Sequence, residues 1–183
     1  NESNILFKIY SLGTLMSATG FQSGLEDWDG NIAGKKILDH MVDNKDPRLT
    51  YLFEPNPNPE EVVEDYLGLD PMMNPTEQNE LVLTQTLSIY NRSTLSRNQF
   101  FPGVIMTAAE VHLMAAEYYL NEGQDAMAKT HYEESVNQSI DFYQYLRGIS
   151  NNAESPAPVE PTATSISDYL SMDAVAWDAA SGS

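Results

Sequence analysis

The sequence predicts a mainly α-helical domain in which one helical hairpin stands beside irregular loops and short strands. From Met106 to Leu146, apolar residues recur at three- and four-residue spacing on both sides of a glycine-containing turn, the pattern of two antiparallel helices. Two shorter segments, from Gly34 and from Asn58, carry helix periodicity or helix-start signals. The rest is punctuated by Gly, Pro, Ser and Asn, which leaves room for loops and short strands only. With 42% hydrophobic residues, the 183-residue chain holds enough apolar material for one globular domain. It begins on Asn1 and not Met, and ends on "AVAWDAASGS" without a closing helix, so residues 1–183 read as one partial domain of a longer protein.

Taken in order, "ILFKIY" (Ile5 to Tyr10) is β-branched and aromatic and reads as a short, mostly buried extended piece. "SLGTLMSATGFQSGLEDWDGN" has four glycines among Ser and Thr, the composition of an irregular surface segment. In "GKKILDHMVDN", Ile37, Leu38, Met41 and Val42 share one helical stripe, and Pro47 ends it by disfavouring helix in Asp46. Asn58 suits an N-cap, Pro59 the first helical position and Glu61 a capping box, with Gly68 as the stop. The acids Glu60, Glu61, Glu64 and Asp65 then complement the helix macrodipole and need no metal. "LVLTQTLSIYN" (Leu81 to Asn91) alternates well enough for a strand, with a helix as the alternative, and "RSTLSRNQFFPG" is loop.

In the hairpin (106–146), Thr107 and Glu110 form a capping pattern ahead of a stripe of Val111, Met114, Ala115, Tyr118 and Tyr119. Gly123 suits the C′ position, and Asp125 can cap a second helix with Ala128, Tyr132, Ser135, Val136, Ser139 and Phe142 on one face. Ala116, Tyr119, Gly123, Ala128 and Tyr132 fall at the spacings of a tetratricopeptide repeat, with Ala115 and Ser135 fitting less well. One such unit cannot bury its own outer face, and no second copy occurs in the sequence. Glu110 and Glu117 lie about 10.5 Å apart along a helix axis at 1.5 Å per residue, too far for a glycosidase pair and suited to capping or bracing. His112 and His131 face each other across the hairpin with no third residue at metal spacing, so both read as packing or surface side chains.

Nine Lys and Arg against 27 Asp and Glu give a net charge of −18, a field that repels nucleic acid and anionic lipid alike. No apolar run approaches the roughly 20 residues of a membrane span. Without cysteine there is neither a disulfide framework nor a thiolate metal site. No nucleophile elbow, phosphate loop or zinc-protease helix occurs, so no catalysis, no metal and no cofactor are expected; calcium on the acidic loops is conceivable on charge alone.

The segment "VIMTAAEVHLMAAEYYLNEGQDAMAKTHYEESVNQSIDFY" resembles the hallmark stretch of the SusD/RagB family, particularly its SusD-like subgroup, and "NKDPRLTYLF" resembles that subgroup's Asp-Pro-Arg-Leu motif. Glu110 and Glu117 match the family's paired glutamates, and Asp46, Pro47 and Arg48 its second motif. The resemblance implies a SusD-like fold. It further implies an outer-membrane lipoprotein at the surface of a Gram-negative bacterium, attached only through a lipid anchor outside this chain. Such a protein captures an oligosaccharide or other nutrient and passes it to a SusC-like TonB-dependent transporter. The alternative is a tetratricopeptide-like scaffold for a protein partner.

Sugar recognition uses aromatic faces against a pyranose ring and amides or carboxylates on its hydroxyls. "LEDWDGN" sets Trp28 between Asp27 and Asp29 with Asn31 close by, and is the first candidate for ligand contact. Tyr66 and "IYNR" (Tyr90, Asn91, Arg92) are further candidates.

Overall fold

The computed structural model describes residues 4–8, 19–27, 30–58, 60 and 65–178. Its elements run β1 (Ile5–Phe7), α1 (Thr19–Glu26), α2 (Lys35–Asp43), α3 (Leu49–Leu52), β2 (Phe53–Glu54), α4 (Pro75–Leu83), β3 (Ile89–Tyr90), β4 (Gly103–Met106), α5 (Ala108–Asn121), α6 (Asp125–Ile149) and α7 (Ala163–Leu170). Two antiparallel ribbons, β1 with β4 and β2 with β3, are the strand pairs among the described residues. The mainly α-helical expectation therefore holds.

Helices α5 and α6 form the hairpin. Thr107 and Glu110 make both halves of the capping box at the start of α5. Gly123 takes φ +71° in the turn, a conformation that costs glycine nothing and other residues about 1 kcal/mol or more. Ala116 and Ala128 are buried where the helices meet, as the small positions of the repeat pattern require. His112 and His131 do face each other, with Nδ1 atoms 2.8 Å apart, and Tyr119 stacks on the His131 ring. Nitrogens that close share one hydrogen, one ring donating and the other accepting.

Two apolar clusters flank the hairpin's inner side. Ala33, Leu38, Met41 and Phe53 gather Leu49, Leu52, Tyr66 and Tyr90 around α2, α3 and the β2–β3 ribbon. Val136, Ile140, Tyr169 and Val175 gather Tyr132, Ile166, Leu170 and Met172 between α6 and α7. The Asp-Pro-Arg motif reaches across both. Arg48 grips Asp46 through two bonds, Nε to Oδ1 at 2.9 Å and Nη2 to Oδ2 at 2.5 Å, and also donates to Ser139 Oγ on α6 and Tyr169 Oη on α7. Burial lowers the affinity of Arg48 for its proton, but the Asp46 carboxylate outweighs this and leaves it above the ordinary arginine value. Burial pushes the Tyr169 phenol up to about 12, against the opposing pull of Arg48.

Several local expectations change. Ile5–Phe7 is extended as expected, yet Ile5 is 55% and Phe7 69% exposed, because nothing among the described residues covers that face of the ribbon. Helix α1 interrupts the stretch expected to be irregular; its glycines, each costing about 1 kcal/mol in a helix, masked it. The strand expected over Leu81–Asn91 is divided between the end of α4, a turn with Gln85 at φ 53° and the two residues of β3. Asn74, which caps α4 ahead of Pro75, was the missed start signal. On α5, Val111, Met114 and Tyr118 point outward, and Ala108, His112 and Ala116 are the buried residues. Met106 belongs to β4, and α6 runs past Leu146 to Ile149. Asp125 makes no cap; it accepts the indole N–H of Trp177 at 2.8 Å. Helix α7, held by a Thr162–Ser165 capping box, went unread. Most of the helix expected from Asn58 lies outside the described residues, while residues 65–68 are not helical.

Candidate functional site

Three loop segments converge on one side of the α2–α3 cluster. Their backbones interlock: Ala33 N–H donates to Ser88 O at 2.8 Å, Leu69 N–H to Ala33 O at 2.8 Å, Ser88 N–H to Leu67 O at 2.8 Å and Tyr90 N–H to Asn31 O at 2.7 Å. Residues 31–35, 67–69 and 88–90 thus run side by side with their amide groups satisfied mutually, as buried chain requires. Asn31, Tyr66 and Tyr90, distant in sequence, become neighbours through these bonds.

Two ion pairs fix the loop that follows. Arg92 donates from its backbone N, Nε and Nη2 to Glu54 at 2.8, 3.0 and 2.8 Å, and Ser155 Oγ donates to the same carboxylate at 2.7 Å. Burial pushes the Glu54 carboxyl up, but these four donors more than offset it and hold it below the ordinary value. Arg97 donates to Glu26 through Nε and Nη2, the latter at 2.7 Å, and Ser96 Oγ donates at 2.5 Å. These contacts, Arg97 first, hold the Glu26 carboxyl at about 2. Arg97 also bonds Glu154.

Loop 86–98 is therefore no surface loop. Thr86, Ser88, Ser93, Thr94, Ser96 and Asn98 are all buried. Several of their polar side chains bond backbone: Asn98 Nδ2 donates to Leu146 O at 2.8 Å, and Ser93 exchanges bonds with Ser155.

The residues singled out in the sequence are distributed as follows. Asp27 is exposed at the end of α1, next to the anchored Glu26. Asn31 is half-buried beside Tyr90. Tyr66 and Tyr90 are half-buried against the same cluster, Tyr90 with its ring centroid 4.9 Å from that of Phe53, and burial raises the Tyr66 phenol. Asn91 is 1% exposed, its amide donating to Thr50 O at 3.1 Å and accepting from Thr94 N–H at 2.9 Å, so it braces the loop from within. Arg92 is partly exposed and tied to Glu54. Trp28 and Asp29 lie outside the described residues. Sequence reasoning missed Glu26, Glu54 and Arg97, which hold this face together; no local signal links residues more than 35 positions apart. Among the described residues no group of three or more His, Cys, Asp or Glu is placed to hold a metal ion.

The Glu26 anchor has a pH signature. Its folded value of about 2 lies below the ordinary 4.5, so its stabilisation is complete above about pH 4.5 and is lost as pH falls from there towards 2. Melting curves of wild type and Glu26→Gln should differ by a constant amount near neutrality and converge in acid. A difference that grows on acidification would contradict the anchor.

No curated protein matches the chain. A SusD homologue from Bacteroides fragilis shares the fold with a TM-score of 0.75 at 15% identity, over 96% of this chain and 38% of its own. A Bacteroides vulgatus protein, described as a candidate outer membrane protein with a suggested role in nutrient binding, gives 0.60 at 22% identity, over 79% of this chain and 31% of its own. This chain thus spans less than two-fifths of either. The SusD-like family described as "Starch-binding associating with outer membrane" matches residues 1–183. With the Asp-Pro-Arg motif at the crossing of the helices and the capped hairpin in place, the chain belongs to the SusD-like family.

Proposed function

We propose that this chain helps capture an oligosaccharide or other nutrient at the outer face of the outer membrane and deliver it to a TonB-dependent transporter, binding the ligand without chemical change. The observation that carries the reading is the convergence of residues 26–27, 30–34, 66–70 and 88–97 onto one anchored face, in a chain whose family description is starch-binding. On that face Tyr66 and Tyr90 supply aromatic surface, and Asp27, Asn31 and Arg92 supply hydrogen-bonding groups, while Asn91 positions the loop; Trp28 and Asp29, outside the described residues, are candidates from the sequence alone. Anchoring matters because a preorganised loop loses less freedom on binding.

Calorimetry on the full-length protein against a glycan series should show binding in the micromolar to millimolar range. Trp28→Ala or Tyr90→Ala should weaken it by at least tenfold, a typical effect of removing an aromatic anchor. Absence of any ligand on a glycan array, together with failure to co-purify with a transporter, would reject the reading.

One observation favours a second reading, a scaffold for a protein partner. Val111, Leu113, Met114 and Tyr118 leave an apolar face on α5 open to solvent. Under that reading Met114→Glu and Tyr118→Glu abolish partner capture, and the loop substitutions leave it unchanged.

A further inference from the structure

We infer that the groove between α6 and α7, lined in part by Trp177, is a second binding site, for a neutral oligosaccharide. This rests on the nutrient-binding reading but concerns a different part of the molecule. The groove encloses about 640 Å³, within the roughly 300–1,000 Å³ of small-molecule sites. Its walls have the periodicity of the two helices. Lys129, Glu133 and Asn137 follow at four-residue steps along α6, and Ser167 and Leu170 face them from α7.

Trp177 is held in place from several sides. Its Nε1 donates to Asp125 Oδ1 at 2.8 Å, and its ring lies 5.5 Å from that of Tyr132. Tyr132 Oη donates to Val175 O at 2.5 Å, and Val175 N–H and Ala176 N–H both donate to Met172 O. Val175 itself is buried in the α6–α7 cluster. The indole remains half-exposed and forms part of the groove wall.

The chemistry of the walls selects the ligand. An aromatic ring and the Leu170 side chain suit the apolar face of a pyranose, and the Asn137 amide and Ser167 hydroxyl suit its hydroxyl groups. Neither Asn137 nor Ser167 uses its side chain in a hydrogen bond among the described residues. Lys129 and Glu133 pair with each other at 3.7 Å, so the groove's two charges offset each other, while the chain at −18 repels anionic ligands. A neutral sugar chain fits these conditions, and an acidic one does not.

Full-length protein carrying Trp28→Ala is labelled with 5-fluorotryptophan, and the fluorine resonance that disappears on the further change Trp177→Phe reports on the groove alone. Short linear neutral oligosaccharides of the α-glucan, β-glucan, mannan and xylan series are titrated into it, with a uronate series as the acidic control. The expected result is a saturable shift of the Trp177 fluorine resonance with at least one neutral series. In the same background Asn137→Ala, which leaves the indole's supports intact, should weaken that binding by about tenfold. Wild-type protein that binds a neutral glycan while the Trp177 resonance of the Trp28→Ala protein responds to none overturns the groove site and leaves the loop site standing. Conversely, unchanged glycan affinity in Trp28→Ala and Tyr90→Ala, with loss in Asn137→Ala, supports the groove and removes the loop site. A response confined to uronates overturns the proposal.

Discussion

Replacing Arg48 with alanine should destabilise the protein by about 3–5 kcal/mol, the usual cost of removing one partner from a buried ion pair. The Asp46 side chain is 1% exposed and would be left without its main counterion. The same substitution frees Ser139 Oγ on α6 and Tyr169 Oη on α7 from their shared donor, so the docking of α7 should loosen with it. Arg48→Lys should recover only part of the loss, because an ammonium cannot span both carboxylate oxygens and still reach two hydroxyls. Denaturant titration followed by far-UV circular dichroism measures both. A loss below about 1 kcal/mol for the alanine variant would mean that this junction does not organise the fold.

Gly68→Ala is the second large effect, expected to cost about 3 kcal/mol, the upper end for overpacking a filled site. A methyl group there would lie 2.5 Å from Lys35 Cα and 2.8 Å from Lys35 N, and both are backbone atoms that cannot swing aside. Relief of the clash would separate residues 67–69 from the start of α2 and break the bonds from Lys35 N–H to Leu69 O and from Leu69 N–H to Ala33 O. Tyr66 lies at the edge of that contact, so glycan affinity should fall along with stability. An alanine variant with wild-type melting behaviour would show that the loop does not need so close an approach.

These two residues mark how far the sequence could be read. Arg48 was identified by motif, but its partners on α6 and α7 stand 91 and 121 residues away, and no local pattern specifies them. Gly68 was read as a helix stop, a role decided by its neighbours in the chain. Its demonstrated reason is a neighbour in space, residue 35. The same division runs through the candidate site. Asn31, Tyr66 and Tyr90 were recognisable as loop residues of the right chemistry, whereas the interlocked backbones that assemble them join residues 21 or more positions apart.

Helices declared by their own residues were legible. Thr107 and Glu110, Gly123, and the small residues Ala116 and Ala128 act within a turn or across a short hairpin, and each stands where the pattern put it. Helix α1, with internal glycines, and helix α7, whose capping box uses Ser165 in place of Glu, gave weaker local signals. The sequence by itself determined the mainly helical class, the capped hairpin with its glycine turn, and a charge unsuited to nucleic acid. Only the tertiary structure decided which stripe of α5 is buried, why polar loop 86–98 is interior, and that Trp177 lines a groove. Periodicity and caps are set by covalent neighbours, whereas burial and polar pairing depend on segments that meet only after the chain has folded.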